Sequence, residues 1–447
     1  MKSDAAPAVK DAGFFSRAVE MYRQQTGQPL QAWLLVALAN LAFQVIFFRE
    51  MTWDETTAGE FGLLNAALGI IGLLTVPLLA IHHAFHLYPI RPPNVRPDPR
   101  LESLRSSIVI VVETSAWVWG GVCCLLTLLP LPLPYLPRLH LQLFALFNVL
   151  LALGGVVSRT ICESEKQKGQ WIVLFVGAAL ARVLFATVGT VWNPFEPWAD
   201  AGLTAFFVAG IITLIPALRP REIDWATRMK ALQAVLDREF LLFAGATFSV
   251  LLGLYLFTNA DRIVAVAWMD VVAGQRVYMI AGSQVDFDEY QASGLLGRAL
   301  LWGTQPLLWI LFARRARLHK SIPSSLTFFW LYLGALLVGA LLLGCLTQPG
   351  ILHAISGPFS VAGKLAPTFA VVMIPLGLIQ GLGIFSLASR RYPECFVLGG
   401  CSIAYTIILF LFGRQPGLML PYMFGAGVVS LMIVLFVGVV RWGRKQP

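Results

Sequence analysis

The sequence predicts an all-α polytopic membrane protein of twelve transmembrane helices, divided into two related six-helix halves. Three observations carry that reading. First, 57% of the residues are hydrophobic, only 13% are charged, and the mean hydropathy is +0.73, whereas soluble domains carry about a quarter charged residues. Second, the apolar residues fall into twelve runs, each near the roughly 20 residues that cross a bilayer as a helix. Third, Glu60-Phe61 followed by Thr75-Val76-Pro77-Leu78-Leu79 returns 229 positions later as Glu289-Tyr290 followed by Thr304-Gln305-Pro306-Leu307-Leu308. The offset is close to half of the 447 residues. A duplicated membrane bundle suits a carrier that rocks one half against the other.

Taken in order, residues 1–29 read as a polar cytoplasmic segment without the apolar core of a cleavable signal. Phe14, Phe15, Val19 and Tyr22 would line one face if part of it lay as an interfacial helix; a frayed tail is the alternative. Spans one to six are expected near 30–48, 61–85, 107–130, 139–157, 171–191 and 201–218, giving a first bundle over 30–218. The run Leu129-Pro130-Leu131-Pro132-Leu133-Pro134 closes span three, where prolines stiffen a turn. Residues 219–239 are charged and helix-favouring, and read as an amphipathic linker helix. Spans seven to twelve are expected near 240–259, 291–313, 327–347, 366–388, 394–412 and 418–440, a second bundle over 240–440 before a basic tail at 441–447. Six is even, so the halves share one orientation, and the repeat axis runs along the membrane normal. The gap from Asp261 to Glu289 is 28 residues against 11 from Arg49 to Glu60, which leaves room for a small hairpin or a helix extension over 262–289.

Charge follows topology. Alternate loops and both tails hold 25 Lys and Arg, and the opposite side holds six: Arg49, Arg138, Arg262, Arg276, Lys364 and Arg414. Basic loops stay in the cytoplasm, so both termini are expected there, in the cytoplasmic (inner) membrane of the cell. The net charge of +9 is thereby accounted for, and nucleic acid is excluded as a partner. The six cysteines show no C-x-x-C spacing and read as packing residues.

The stretch Ala39-Asn40-Leu41-Ala42-Phe43-Gln44-Val45-Ile46-Phe47-Phe48-Arg49, followed by Gly59-Glu60-Phe61-Gly62, resembles the first two spans of polysaccharide and oligosaccharide-lipid flippases. Thr258-Asn259-Ala260-Asp261 is similar to the polar end of their span seven, and Glu289-Tyr290 with Gly294-Leu295-Leu296-Gly297-Arg298 to the start of their span eight. These proteins belong to the multidrug/oligosaccharidyl-lipid/polysaccharide exporter superfamily. The resemblance implies two pseudo-symmetric bundles around a central cavity and a lipid-linked saccharide as substrate. Departures are the missing Gly after Glu289-Tyr290 and the long 262–289 segment.

Charges that interrupt apolar runs are the candidate site, because an ionised side chain at mid-bilayer costs about 2.5–3.5 kcal/mol on insertion scales and therefore faces a cavity or a partner. Arg182 lies mid-span five and Arg298 in span eight; with Arg49 at the end of span one they are the candidate substrate-binding residues. A guanidinium offers a planar fork that matches phosphate oxygens, as in a polyprenyl-diphosphate-linked sugar. For Arg182 the structural alternative is a pair with Glu113 of span three, and for Arg298 it is snorkelling to the interface. Glu113 and Asp261 are coupling or ion-pair candidates. His82 and His86 have the i, i+4 spacing of zinc helices but lack the Glu of that motif, so the His82, His83, His86 group reads as interfacial and no metal is expected.

Substrate transport thus leads: a flippase for lipid-linked saccharide, working beside the glycosyltransferases and polymerase of its pathway, with membrane lipids around it and no cofactor. A drug or cation antiporter of the same superfamily is the alternative and would need acidic cavity residues. A membrane-embedded glycosyltransferase or ligase would have to use Glu50, Asp54 and Glu55 or the acidic stretch Asp286, Asp288 and Glu289, and neither sits in a donor-site motif.

Overall fold

Backbone groups in lipid must satisfy one another, so long apolar runs become helices that end where polar residues or prolines begin. A computed structural model of the chain describes positions 35–36, 38–40, 42–44, 46, 60–88, 100–128, 139–165, 167–192, 198–218, 225–267, 270–272, 275–280, 283–317, 322–346, 365–413 and 419–443. Helical positions between 35 and 46 belong to the first expected span. Then follow α1 (Glu60–Leu87), α2 (Arg100–Leu128), α3 (Leu139–Ser164), α4 (Lys168–Trp192) and α5 (Trp198–Leu214) with a 3-10 turn (Ile215–Leu218). The linker forms α6 (Trp225–Val235). The second half is α7 (Arg238–Ala267), α8 (Phe287–Arg317), α9 (Ile322–Leu346), α10 (Ala366–Ala388), α11 (Tyr392–Phe412) and α12 (Met419–Gly443).

These helices fall on the expected spans, and nine among the described residues are long and apolar enough to cross a membrane. Several ends run past the expected bounds, and that of α7 runs furthest. The apolar run predicts that span seven stops near 259, whereas α7 continues to Ala267. Polar Thr258, Asn259, Asp261 and Arg262 do not end it because all four are buried: Thr258 and Asn259 bond carbonyls of their own helix, and Asp261 and Arg262 meet Arg298 and Trp302 of α8. The long segment between the seventh and eighth spans holds a three-stranded antiparallel sheet of β1 (Asp270–Val272), β2 (Gln275–Ile280) and β3 (Ser283–Asp286), with Val271 opposite Arg276 and Tyr278 opposite Val285.

Packing sorts the helices into two groups. In the first, α3 packs on α1, α2 and α5, and α4 packs on α5. In the second, α7 packs on α11, and α10 packs on α8, α9 and α12. The groups meet mainly where α1 lies along α7, with α8 also touching α1. Lipid is as apolar as leucine, so such contacts are tightened by small residues and by hydrogen bonds rather than by hydrophobic burial. Gly297 shows the effect: a Cβ there would lie 2.6 Å from Phe369 Cβ, so only glycine lets α8 approach α10 this closely.

The repeat is visible in the helices themselves. Glu60 opens α1 and Glu289 stands in the first turn of α8, and both are buried. Thr75 Oγ1 donates to Gly72 O at 2.7 Å, and its counterpart Thr304 donates to Leu300 O at 3.0 Å, each two positions before a proline.

Candidate functional site

A buried polar cluster lies between α7 and α8. Arg298 and Asp261 are both fully buried. Arg298 Nη2 donates to Asp261 Oδ2, and its Nε donates to Thr258 O at 2.6 Å. Tyr290, two turns earlier on α8, donates to the same Asp261 oxygen at 3.4 Å. Gly294 lies one helical turn before Arg298, and an added Cβ would sit 2.7 Å from Arg298 Nη1. The missing side chain is what lets the guanidinium fold back towards α7. Phe369 of α10 covers the other side, its ring centroid 5.9 Å from Arg298 Cζ.

Arg262 follows Asp261 and is also buried, its guanidinium 5.9 Å from the Trp302 ring. The cluster is under-filled. Arg298 Nη1, Arg262 Nε and Nη2, Asp261 Oδ1, Gln291 Oε1 and the Tyr405 hydroxyl have no hydrogen-bond partner among the described residues. Buried polar atoms in this condition call for water or a ligand. Two guanidiniums therefore converge near one carboxylate, and that carboxylate is already matched.

Snorkelling does not describe Arg298, which is wholly enclosed rather than stretched to an interface. Arg182 is placed on α4, with its Cζ 4.7 Å over the Phe206 ring and its Nε without a hydrogen-bond partner among the described residues. Glu113 is not its counter-ion. The Glu113 carboxylate accepts from Arg228 Nη2 of the linker helix at 3.2 Å, so the alternative of an Arg182–Glu113 pair is corrected to a tie between α2 and α6. Arg49 lies outside the described residues. Among the described candidates, only Arg298 and Asp261 are brought together. Sequence reasoning missed Arg262, Tyr290, Gln291 and Tyr405. Ending span seven at 259 assigns Arg262 to a loop, and α11 contributes Tyr405 from a distant part of the chain.

Among the described residues the halves meet in two places. Tyr255 of α7 donates to Gly69 O of α1 at 2.8 Å, and its ring fills the space a Cβ on Gly72 would need. Gly69 is the repeat counterpart of Arg298, so the first half receives its neighbour's side chains where the second half carries its own charge. At the end nearer the linker, Arg390 stands between α10 and α11 with φ 54°, a conformation that L-residues other than glycine seldom adopt. Arg390 N bonds Leu387 O at 3.0 Å and Arg391 N bonds Ser386 O at 2.8 Å, the paired bonds of a Schellman helix end whose left-handed position normally holds glycine. The arginine there donates to Tyr88 O of the first half at 2.8 Å and lies over the Tyr88 and Phe243 rings at 4.9 and 5.1 Å. Phe85 and Tyr88 of the first half meet Phe240 of the second at ring separations of 4.8 and 5.4 Å.

Neither a protein-family model nor a characterised protein sequence matches the chain. Solved structures do. A point mutant of the Vibrio cholerae MATE transporter VcmN is similar at 13% identity and a TM-score of 0.55, over 94% of this chain and 97% of that one. The lipid II flippase MurJ, in an inward closed conformation, is similar at 12% identity and a TM-score of 0.59, over 90% and 87%. A multidrug resistance MATE family transporter of the MOP superfamily, inward-facing, is similar at 12% identity and a TM-score of 0.51, over 92% and 96%. At such identities the likeness is one of fold, and nearly the whole chain shares it. With its helices grouped into two bundles, this multi-pass membrane protein has the twelve-helix architecture common to MATE transporters and the flippase MurJ.

Proposed function

We propose that the chain is a flippase that carries a lipid-linked oligosaccharide or polysaccharide precursor across the cytoplasmic membrane by alternating access of its two bundles. The observation that supports this most is the state of the buried guanidiniums. Arg298, Arg262 and Arg182 retain N–H groups that no atom of the described residues accepts. The carboxylate beside Arg298 and Arg262, Asp261, is matched to Arg298. Such a set attracts an anion with several oxygens, as a diphosphate linkage offers, and a planar fork serves it better than a point charge. A carrier of cationic drugs needs a carboxylate free to exchange its charge, which disfavours the antiporter reading. In this reading Arg182, Arg298 and Arg49 contact substrate, Asp261 and Glu113 act as ion-pair partners, and the chain catalyses no covalent step. The positive-inside asymmetry of the loops supports both termini being cytoplasmic. Glycosyltransferases and a polymerase supply and consume the carried lipid.

The test is genetic and chemical. Depleting the protein should strand lipid-linked saccharide on the cytoplasmic leaflet, measured by leaflet-specific enzymatic labelling of the sugar. Outer polymer at normal levels in a deletion strain that has no second copy would refute the proposal.

A further inference from the structure

A second charged cluster lies away from the Asp261 site, where the C-terminal ends of α1 and α3 come together. Ligand atoms of His82, His86 and Glu163 all lie within 4.8 Å of one another. The helical spacing of His82 and His86 lacks an acidic partner in its own helix, and α3 supplies one from 77 residues beyond His86. His86 Nε2 is 2.8 Å and His82 Nε2 is 3.7 Å from Glu163 Oε2.

The surroundings orient each group. Thr160 Oγ1 spends its single proton on Val156 O at 2.8 Å, so it must accept from His82 Nδ1, also 2.8 Å away. In the neutral ring this places the proton on Nδ1 and leaves a bare lone pair on Nε2. That atom has no hydrogen-bond partner among the described residues although its side chain is wholly buried, and it points at Glu163. Arg159 Nε holds the other Glu163 oxygen at 2.8 Å, which fixes the carboxylate with Oε2 facing the two rings. A metal-bound histidine characteristically donates its second nitrogen to a neighbour, and a bound carboxylate is held by another hydrogen bond. Both supports stand here already. The side chain of His86 is 38% exposed, so an ion could reach the cluster and keep solvent in a further position. Two imidazoles and one carboxylate with an open position form a donor set used for Zn2+. Bond lengths near 2.0–2.2 Å would require Glu163 to draw back from His86, the two rings to close on the ion, and His86 to carry its ring proton on Nδ1.

We propose that His82, His86 and Glu163 bind one divalent cation of the zinc type and thereby clamp the end of α1 to α3. A ligating imidazole is uncharged and Glu163 is paired with Arg159, so the site brings little net charge and selectivity rests on imidazole nitrogen. Mg2+ and Ca2+, which prefer oxygen ligands, should not compete.

The experiment uses the full chain, purified in detergent with a tag free of histidine and stripped with chelator. Titration with Zn2+ against a chromophoric chelator should show one site per chain that excess Mg2+ does not displace. Co2+ should give the intense visible bands of a low-coordinate site. His86→Ala, at a partly exposed position, should abolish the site, and His86→Cys should restore binding while shifting the Co2+ bands. Thr160→Val, which removes only the support of His82, should weaken binding roughly 10–100-fold. Absence of a stoichiometric site in the intact chain, or a site untouched in His86→Ala and Glu163→Gln, overturns the proposal. The outcome is independent of the flippase reading, since no transport is measured.

Discussion

At the scale of single residues, the membrane charges divide by whether a partner is at hand. Arg298 and Asp261 are buried together, and removing one member of such a pair costs about 3–5 kcal/mol because the other is left charged in a dry place. Arg298→Ala should therefore lower the thermal midpoint of the detergent-solubilised protein clearly. The double change Asp261→Asn with Arg298→Met should recover much of that loss; equal midpoints for single and double variants would show that the pair does not couple. Arg182 differs, since it rests over Phe206 and its Nε has no acceptor among the described residues. Arg182→Lys keeps the charge but not the fork, so it should transport partially, and Arg182→Ala poorly, at unchanged protein levels. Indistinguishable transport by the two would remove Arg182 from the substrate path.

At the scale of elements, two contacts decide how helices meet. Tyr255 fills the place beside Gly72, so any side chain there must push α1 from α7. Gly72→Val should abolish transport, and pairing it with Tyr255→Ala should restore part of it. Activity in the single variant equal to the parent would mean that the helices have slack at this seam. The helix end at Arg390 holds a left-handed conformation that costs of order 1–3 kcal/mol in a residue with a Cβ. Arg390→Gly should thus be more stable than Arg390→Ala, although both lose the same side-chain contacts; thermal midpoints read the difference directly.

At the scale of the whole molecule, Arg390 and its aromatic neighbours close the two halves against each other at the linker side. Both Arg390 variants should loosen that closure. Replacing Tyr88 by Cys and labelling with a membrane-impermeant maleimide should show faster modification when Arg390 is also Ala; an unchanged rate would place the closure elsewhere. The sequence by itself determined the membrane class, the two-half division, the helix order and the extra segment before α8. Each of these depends on local composition and period, or on a duplication that keeps Thr75 and Thr304 in register. Only the tertiary structure decided the partners: Asp261 for Arg298, Arg228 for Glu113, Glu163 for His82 and His86. The physical reason is that a helix periodicity says which residues share a face but not which other helix that face meets. A charge in lipid announces that it needs a neighbour, and the packing of distant segments supplies it.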